Sequence, residues 1–305
     1  MAVQSARISV SEELSSPRSS QWAEFWKRAK RSKPTIIGMI MVLMMLGLAI
    51  FAPWLAPHDP ATQFEDGLEF GLPHKPFANK KFLLGTDHLG RDVLSRLIYG
   101  SRISLLVGFT SVVVASAVGV LLGLVSGYYG GFIDMIVMRL TDIVMAFPSF
   151  LLSMAILSSL KPGIGSLLIS ISIARWAGTA RLARSQALAQ REYEYVEAAR
   201  ALGIGNFRIL TKYILPNSYA PILVNLTMGI AGAILTEASL SFLGLGVQPP
   251  TPSWGMMVNE ARGYLFLRPS LVFIPAFAIA FAVLGFSVLG DGLRDVLDPK
   301  LRGSC

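Results

Sequence analysis

The segment Glu197-Ala-Ala-Arg-Ala-Leu-Gly203, followed by a second stretch that ends in Leu215-Pro216, lies between two long apolar parts of the chain. It is polar, and most of its residues favour helix. A polar, helix-forming segment between two apolar ones is typical of a connector on one side of a membrane, because charged groups are expensive inside hydrocarbon. We therefore predict that residues 191–216 form a helical loop outside the lipid.

The composition indicates an integral membrane protein. Of 305 residues, 53% are hydrophobic and only 15% are charged, which is too apolar for a soluble chain of this size. The net charge of +8 does not indicate nucleic-acid binding, because the basic residues are spread out and form no patch interleaved with aromatics. The single cysteine, Cys305, excludes an intrachain disulfide.

Five or six apolar stretches are long enough to cross a hydrocarbon core of ~30 Å, which takes about 20 helical residues. They lie near 35–56, 103–127, 133–160, 164–183, 219–246 and 270–291. The first is interpreted as a retained helix and not a signal peptide, because it has a long basic leader and no small-residue cleavage site follows it. The predicted fold class is an all-α polytopic membrane protein with about six transmembrane helices and a cytoplasmic loop.

Lys and Arg are distributed asymmetrically between the two sides of these spans. One side, formed by residues 1–33, the loop 175–216 and the tail after 291, carries 17 of them, against 9 on the other. Because cytoplasmic segments are enriched in Lys and Arg, both termini and the loop are predicted to be cytoplasmic.

The chain is thus divided into five parts. They are a basic cytoplasmic tail (1–33), a first transmembrane helix (34–56), an external loop with an amphipathic helix (57–101), a five-helix core (102–293) that includes residues 191–216, and a cytoplasmic tail (294–305).

Three polar or aromatic segments outside the spans carry further expectations. Trp22, Phe25 and Trp26 suit either a helix at the cytoplasmic interface or a simple basic leader. Thr86 or Asp87 is expected to cap the external amphipathic helix, whose polar residues lie on the face opposite its apolar ones. Those polar residues are Arg91, Asp92, Ser95 and Arg96. The Pro- and Gly-rich loop 244–262 is expected to anchor Trp254 at the membrane interface.

The second span has a small residue at every fourth position: Ser111, Ala115, Gly119, Gly123 and Gly127. At 3.6 residues per turn these small residues form a groove that allows another helix to approach closely. Two interpretations stay open, namely packing within the chain and a gating or dimer interface.

Charged residues inside the predicted spans allow structural and transport roles. Arg139 and Asp142 lie three residues apart, so they either neutralise each other near the cytoplasmic surface or line a pathway. Glu237 lies ~27 Å from the cytoplasmic start of its span at ~1.5 Å per residue. It either lines the substrate entrance or extends its carboxylate to the external interface.

The segment 191–216 has a specific internal order. We predict one helix over 191–202, whose small Ala198 and Ala199 allow close approach by another protein, and a backbone turn at Gly203. A second helix is predicted from Phe207, with Phe207, Leu210 and Ile214 on one face and an end at Pro216. An ordinary amphipathic loop would explain the periodicity but not this order.

Several stretches together resemble the dipeptide/oligopeptide/nickel branch of binding-protein-dependent ABC permeases. The stretches are Leu84-Gly-Thr-Asp-His-Leu-Gly-Arg-Asp-Val-Leu-Ser-Arg, Glu197-Ala-Ala-Arg-Ala-Leu-Gly, Ile214-Leu-Pro-Asn, Ser239-Leu-Ser-Phe-Leu-Gly-Leu-Gly-Val-Gln-Pro-Pro and Gly290-Asp-Gly-Leu-Arg-Asp-Val-Leu-Asp-Pro. By this resemblance 191–216 is the loop that couples to an ATPase. The coupling residues it implies are Glu197, Ala198, Ala199, Gly203, Ile214, Leu215 and Pro216. One departure is Tyr213, where the general importer pattern has Ile.

The resemblance also implies partners and a mechanism. The chain would pair with a homologous second permease, two cytoplasmic ATPases and an external solute-binding protein in the bacterial inner membrane. It would bind no cofactor, and its ATPase partners would use ATP and Mg. Dipeptides, oligopeptides, nickel and glutathione all stay open as substrates.

Absent motifs agree with a non-catalytic subunit. The chain has no G-x-x-x-x-G-K-[ST] phosphate loop. His58, His74 and His88 match no compact metal-ligand spacing and are expected to be solvated loop residues, so no metal site is predicted. A solitary ion-coupled transporter is the rival class, but the chain shows neither clear internal repeats nor a convincing broken helix with mid-membrane charges.

Overall fold

A computed structural model describes Trp26 and residues 28–297. Trp22, Phe25 and most of the two tails therefore lie outside the described residues. The helices are α1 (Lys33–Ile50), α2 (Ala52–Leu55), α3 (Val93–Tyr129), α4 (Gly131–Met145), α5 (Ser149–Ser158), α6 (Ile164–Arg191), α7 (Glu194–Ala201), α8 (Asn206–Ile209), α9 (Leu215–Phe242), α10 (Trp254–Ala261) and α11 (Ser270–Leu297).

Short elements complete the described chain. Two-residue strands β1 (Leu68–Glu69) and β2 (Leu72–Pro73) pair antiparallel, with Glu69 opposite Leu72. Single 3₁₀ turns occupy Glu65–Gly67 and Arg262–Tyr264, and a π-helical turn (Leu210–Ile214) joins α8 to α9. The all-α class is confirmed.

Four helical stretches in the described part are long and apolar enough to cross a membrane: α1, α3, the continuous stretch 206–242 and α11. Helices α4 and α5 meet at an 84° bend and make a fifth if the pair is one span. The predicted count of six is not confirmed. The difference lies in α6, which was expected to span over 164–183 and which carries Arg175, Arg181, Arg184 and Arg191. These charges make its second half polar.

The external amphipathic helix and the second span form one helix. α3 runs unbroken through 37 residues, and its N-cap is Asp92, whose carboxylate accepts hydrogen bonds from the Ser95 backbone N–H (3.0 Å) and hydroxyl (2.6 Å). The expected caps, Thr86 and Asp87, are in the preceding turn. There the Asp87 carboxylate accepts from the N–H groups of Leu89 and Arg91 and does not cap the helix.

The polar face of this region is buried. Arg91 and Arg96 are 2% and 1% exposed, and each donates to Glu260 of α10 at 2.9 Å. Trp254, also on α10, is buried and donates from Nε1 to the Leu97 carbonyl at 3.0 Å. The expected interfacial role of Trp254 is therefore wrong, because α10 packs back against α3 and α11.

Helices α3 and α6 approach each other backbone to backbone. A Cβ atom at Gly119 would lie 2.6 Å from the Trp176 carbonyl oxygen, and one at Gly127 would lie 2.6 Å from that of Arg184. A Cβ at Gly123 would meet the Ala180 carbonyl in the same way. The small-residue groove is thus filled by a helix of the same chain, which is the intrachain alternative.

A partly buried ion pair joins α6 to α4. Arg184 donates from Nε and Nη2 to the two oxygens of Asp134 at 2.5 and 2.6 Å, and the Ser126 hydroxyl donates to Asp134 at 2.6 Å. A bidentate arginine–carboxylate pair is directional as well as strong. The pair therefore fixes the relative rotation of α3, α4 and α6 at one end.

We predict that Gly123→Ala lowers the stability of the protein by about 1–3 kcal/mol, the usual cost of overpacking a close helix contact. The added methyl would press on Ala180 and Ala183, where main-chain atoms cannot move cheaply. The matched control is Gly47→Ala in α1, where no atom lies within 4 Å of the new Cβ. Thermal unfolding in detergent measures both, and equal midpoints would contradict the proposed packing role of Gly123.

Candidate coupling segment and transport cavity

Residues 194–214, which we call the coupling segment, form two short helices joined by a tight turn. The first helix begins at Glu194 and not at 191, because α6 continues to Arg191. Gly203 has φ +73°, a conformation that favours glycine, and its N–H donates to the Arg200 carbonyl at 2.9 Å. The turn therefore lies where the glycine was expected to produce it.

One face of the coupling segment is fixed to the rest of the chain. Val196, Ala199 and Ile214 are buried against Leu124 and Tyr128 of α3 in a separate hydrophobic cluster. The Tyr128 hydroxyl also donates to the Asn206 side-chain oxygen at 2.8 Å, and the Arg200 guanidinium lies 5.3 Å from the Tyr128 ring centre. These contacts pack the segment against the C-terminal end of α3.

The opposite face is open and partly apolar. Leu202 and Phe207 are 80% and 79% exposed, and Glu197 and Ala198 beside them are also exposed. Exposed large apolar side chains of this kind mark an interaction surface.

The two faces divide the predicted coupling residues. Glu197, Ala198, Gly203, Leu215 and Pro216 are exposed, whereas Ala199 and Ile214 are buried inside the chain. The expectation that Phe207 shares a face with Leu210 and Ile214 is wrong, since only the last two are buried.

Pro216 does not end the second helix, contrary to expectation. Helix continues from Asn206 to Phe242, and the π-helical turn precedes the proline, with the Leu215 N–H bonded to the Leu210 carbonyl. A proline lacks the N–H that a regular helix interior uses, and the π-helical turn just before Pro216 is where the regular pattern of hydrogen bonds changes. The coupling segment is consequently continuous with the membrane helix α9.

The predicted charge pair in α4 has a different partner. Asp142 accepts from Arg181 of α6 at 2.7 Å, with both side chains about half exposed. Arg139 is exposed and has no ion-pair partner among the described residues, so the expected pairing of Arg139 with Asp142 is wrong. The reason is that α6 packs beside α4 and presents its own arginines to it.

Glu237 of α9 is fully buried, with 0% exposure. Its carboxylate accepts from the hydroxyls of Ser104 in α3 and Ser241 in α9, each at 2.8 Å. It therefore neither lines an open entrance nor extends to the membrane interface. Its place is structural, linking α3 to α9.

A half-open cavity of about 580 Å³ lies between α3, the α4–α5 bend, α6 and α9. Its polar lining residues are Ser116, Ser149, Arg175, Thr179 and Asn225. The Thr179 hydroxyl donates to the Asn225 side-chain oxygen at 3.3 Å, which joins α6 to α9. The remaining lining residues, such as Val112, Phe147 and Met228, are apolar, so the cavity wall combines polar and apolar side chains.

Arg175 was missed as a candidate site residue, because it was counted with the cytoplasmic charges of the loop 175–216. It lies inside α6 and borders the cavity. The sequence did carry a signal, because the apolar stretch that begins at residue 164 runs up to Arg175 and makes that arginine part of the same helix.

The histidines and acids of the external segment do not form a convincing metal centre. Asp87, His88 and Glu260 have ligand atoms within 4.8 Å of one another, but Asp87 and Glu260 already bind Arg91 and Arg96. Two buried guanidinium groups oppose a cation there. All three histidines are half-buried, so the expectation that they are solvated loop residues is wrong.

The chain was compared with known families and proteins. The family model "binding-protein-dependent transport system inner membrane component" matches residues 119–303. The model "N-terminal TM domain of oligopeptide transport permease C" matches residues 20–73.

Curated relatives cover nearly the whole chain. The dipeptide transport system permease protein DppC of Haemophilus influenzae is 43% identical over 279 residues, covering 92% of this chain and 95% of the relative. The glutathione transport system permease protein GsiD of Pectobacterium atrosepticum is 42% identical, covering 92% of each.

Solved structures share the fold. A structure of inward-facing conformations of the MetNI methionine ABC transporter aligns with a TM-score of 0.53 and 17% identity, over 67% of this chain and 97% of that one. An amino acid ABC transporter with histidines aligns with a TM-score of 0.52.

We predict that Glu237→Ala destabilises the protein by about 2–4 kcal/mol, because it leaves a cavity and two buried hydroxyls without their acceptor. Glu237→Gln keeps the shape and the side-chain oxygen, and should cost clearly less. Thermal unfolding of the two variants in detergent compares them. Equal losses would show that the hydrogen bonds to Ser104 and Ser241 contribute nothing.

Proposed function

The chain belongs to the family of inner membrane components of binding-protein-dependent transport systems, and we propose that it carries peptides across the membrane as one of two permeases of an importer. It is a multi-pass inner membrane protein and a non-catalytic permease, since ATP hydrolysis in this family belongs to separate ATPase subunits.

The observation that carries the mechanism is the exposed apolar face of a rigidly held coupling segment. Leu202 and Phe207 point away from the chain, while Val196, Ala199 and Ile214 fix the same segment to α3. A helix held in this way transmits rigid-body motion when its open face lies in a groove of another protein. Docking on an ATPase is the role that this geometry supports.

In the proposed cycle, closure of the ATPase pair on ATP moves the coupling segment, and α9 moves with it because the helix is continuous over 206–242. The cavity between α6 and α9 would then open alternately to the two sides of the membrane. A difference of about 5.5 kcal/mol between the two states is enough to shift such an equilibrium from 1:99 to 99:1.

The proposed complex contains a homologous second permease, two cytoplasmic ATPases and an external solute-binding protein. This chain would bind no cofactor, and ATP and Mg would be used by the ATPases. The excess of Lys and Arg at the termini and the coupling segment supports a cytoplasmic location for all three.

A peptide is the proposed cargo. The relatives named above carry dipeptide and glutathione in their names, and glutathione is itself a small peptide. A polar cavity of about 580 Å³ is large enough for a short peptide. A glutathione importer is therefore the second candidate, with the same mechanism and a different binding protein.

The test of the proposed assembly is purification of the tagged chain from its native membrane, with mass spectrometry of the copurifying proteins. We expect a second permease and two ATPase subunits, and ATP-dependent peptide uptake after reconstitution with the binding protein. A chain that is recovered alone and transports without ATP would instead be a solitary ion-coupled transporter.

A second prediction concerns the turn of the coupling segment. Gly203→Val should abolish transport while membrane insertion persists, because a β-branched residue cannot adopt φ +73° without strain. Gly205→Val is the matched control: its φ of −64° suits any residue, and no atom lies within 4 Å of its Cβ position. Uptake and ATPase copurification are measured for both. Normal uptake by Gly203→Val would refute the coupling role.

A further inference from the structure

Arg175 lies well inside α6, away from either end of the helix. It is eleven residues after the start of α6, which is about 17 Å at ~1.5 Å per residue. Asn225, across the cavity on α9, lies about 15 Å from the start of its own helix by the same measure. Both residues are far enough from the ends of α6 and α9 to lie within a hydrocarbon core of ~30 Å.

The guanidinium of Arg175 packs over two glycines of α9. Its Nη1 would lie 3.2 Å from a Cβ atom at Gly232, and its Nη2 3.5 Å from one at Gly229. Glycine at these two positions therefore makes the room that the planar group occupies beside the cavity.

Arg175 has neither an ion-pair partner nor a hydrogen bond among the described residues. The other arginines of α6 differ: Arg181 binds Asp142, Arg184 binds Asp134 and Arg191 binds Glu192. An unpaired charge at membrane depth is costly, and such residues mark substrate pathways when they border a polar cavity.

We propose that Arg175 binds the terminal carboxylate of the peptide as it passes through the membrane. The inference rests on the proposed peptide transport and adds the group that recognises the cargo. A guanidinium presents several N–H donors in a fork that matches a carboxylate. Thr179, one helical turn further along α6, and Asn225, across the cavity on α9, are hydrogen-bonded to each other and offer neutral polar groups for the rest of the peptide.

The position of Arg175 beside the cavity suits a guanidinium that has no acidic partner within the described part of the chain. A fixed internal acid would occupy the guanidinium permanently, whereas an open site binds an arriving anion and releases it as the cavity changes shape. A transport site must bind its cargo well enough to admit it and weakly enough to release it. Half-burial of Arg175 beside an open cavity meets both requirements.

The experiment uses the complete importer in liposomes with its binding protein and ATP. Uptake of alanyl-alanine is compared with uptake of alanyl-alaninamide, which lacks the carboxylate, at concentrations that saturate the binding protein. The variants are Arg175→Gln, which removes the charge, and Arg175→Lys, which keeps it. Arg181→Gln is the control on the same helix, because Arg181 is exposed and paired with Asp142.

We expect the wild-type complex to carry the free acid at least about tenfold faster than the amide, as befits a charge-assisted hydrogen bond. Arg175→Gln should lower the free-acid rate to that of the amide and leave the amide rate unchanged. Arg175→Lys should keep part of the preference, and Arg181→Gln all of it. Because the binding protein is the same throughout, only the change in this ratio is attributed to Arg175.

Three results would overturn the inference. They are that Arg175→Gln keeps the preference for the free acid, that it lowers both rates equally, or that it loses the second permease on purification. The last outcome would assign Arg175 to an ion pair with that subunit. Peptide uptake by the wild type would in each of these cases leave the proposed function standing. No ATP-dependent peptide uptake by the wild type would overturn the proposed function and this inference together.

Discussion

The close approach of α3 and α6 is the constraint on which the rest of the structure depends. With glycine at 119, 123 and 127, the main chain of α6 lies directly against α3, and the rotation of α6 is thereby set. The alanines of α6 face α3, so its arginine side chains point away from this interface. Arg184 turns to Asp134 of α4, and Arg175 turns to the glycines of α9. Small residues in one helix thus determine where charge is placed in another.

The same helix pair supports the coupling segment. Leu124 and Tyr128 of α3, together with two alanines of α6, form the cluster into which Val196, Ala199 and Ile214 insert. A displacement of the coupling segment therefore moves α3 and α6, against which it packs. It also moves α9, because the helix is continuous over 206–242. These are the helices that enclose the cavity. Closely packed groups move as rigid bodies, so a displacement at the segment reaches the cavity wall.

Features with a local cause could be predicted from the sequence. The groove of small residues and the turn at Gly203 depend on neighbouring positions, and both are present where expected. Features that depend on distant partners could not. Arg96 is buried because Glu260, 164 residues away, neutralises it, and Glu237 is buried because Ser104, 133 residues away, donates to it. Amphipathic periodicity shows that one face is polar, but a tertiary partner decides whether that face meets water.

The arginines of α6 show how one helix serves stability and transport together. Where a guanidinium holds helices in place, an acid of the same chain neutralises it, as Asp134 does for Arg184. A partly buried arginine without an acidic partner lowers stability, and a fold departs from full pairing of this kind mainly at functional sites. Arg175 alone among these arginines faces a polar cavity without an acid among the described residues. In the proposed cycle the carboxylate of the transported peptide pairs with Arg175 for a short time. Its binding free energy must stay small enough for the peptide to be released. The missing acid therefore suits a transport site better than a structural one.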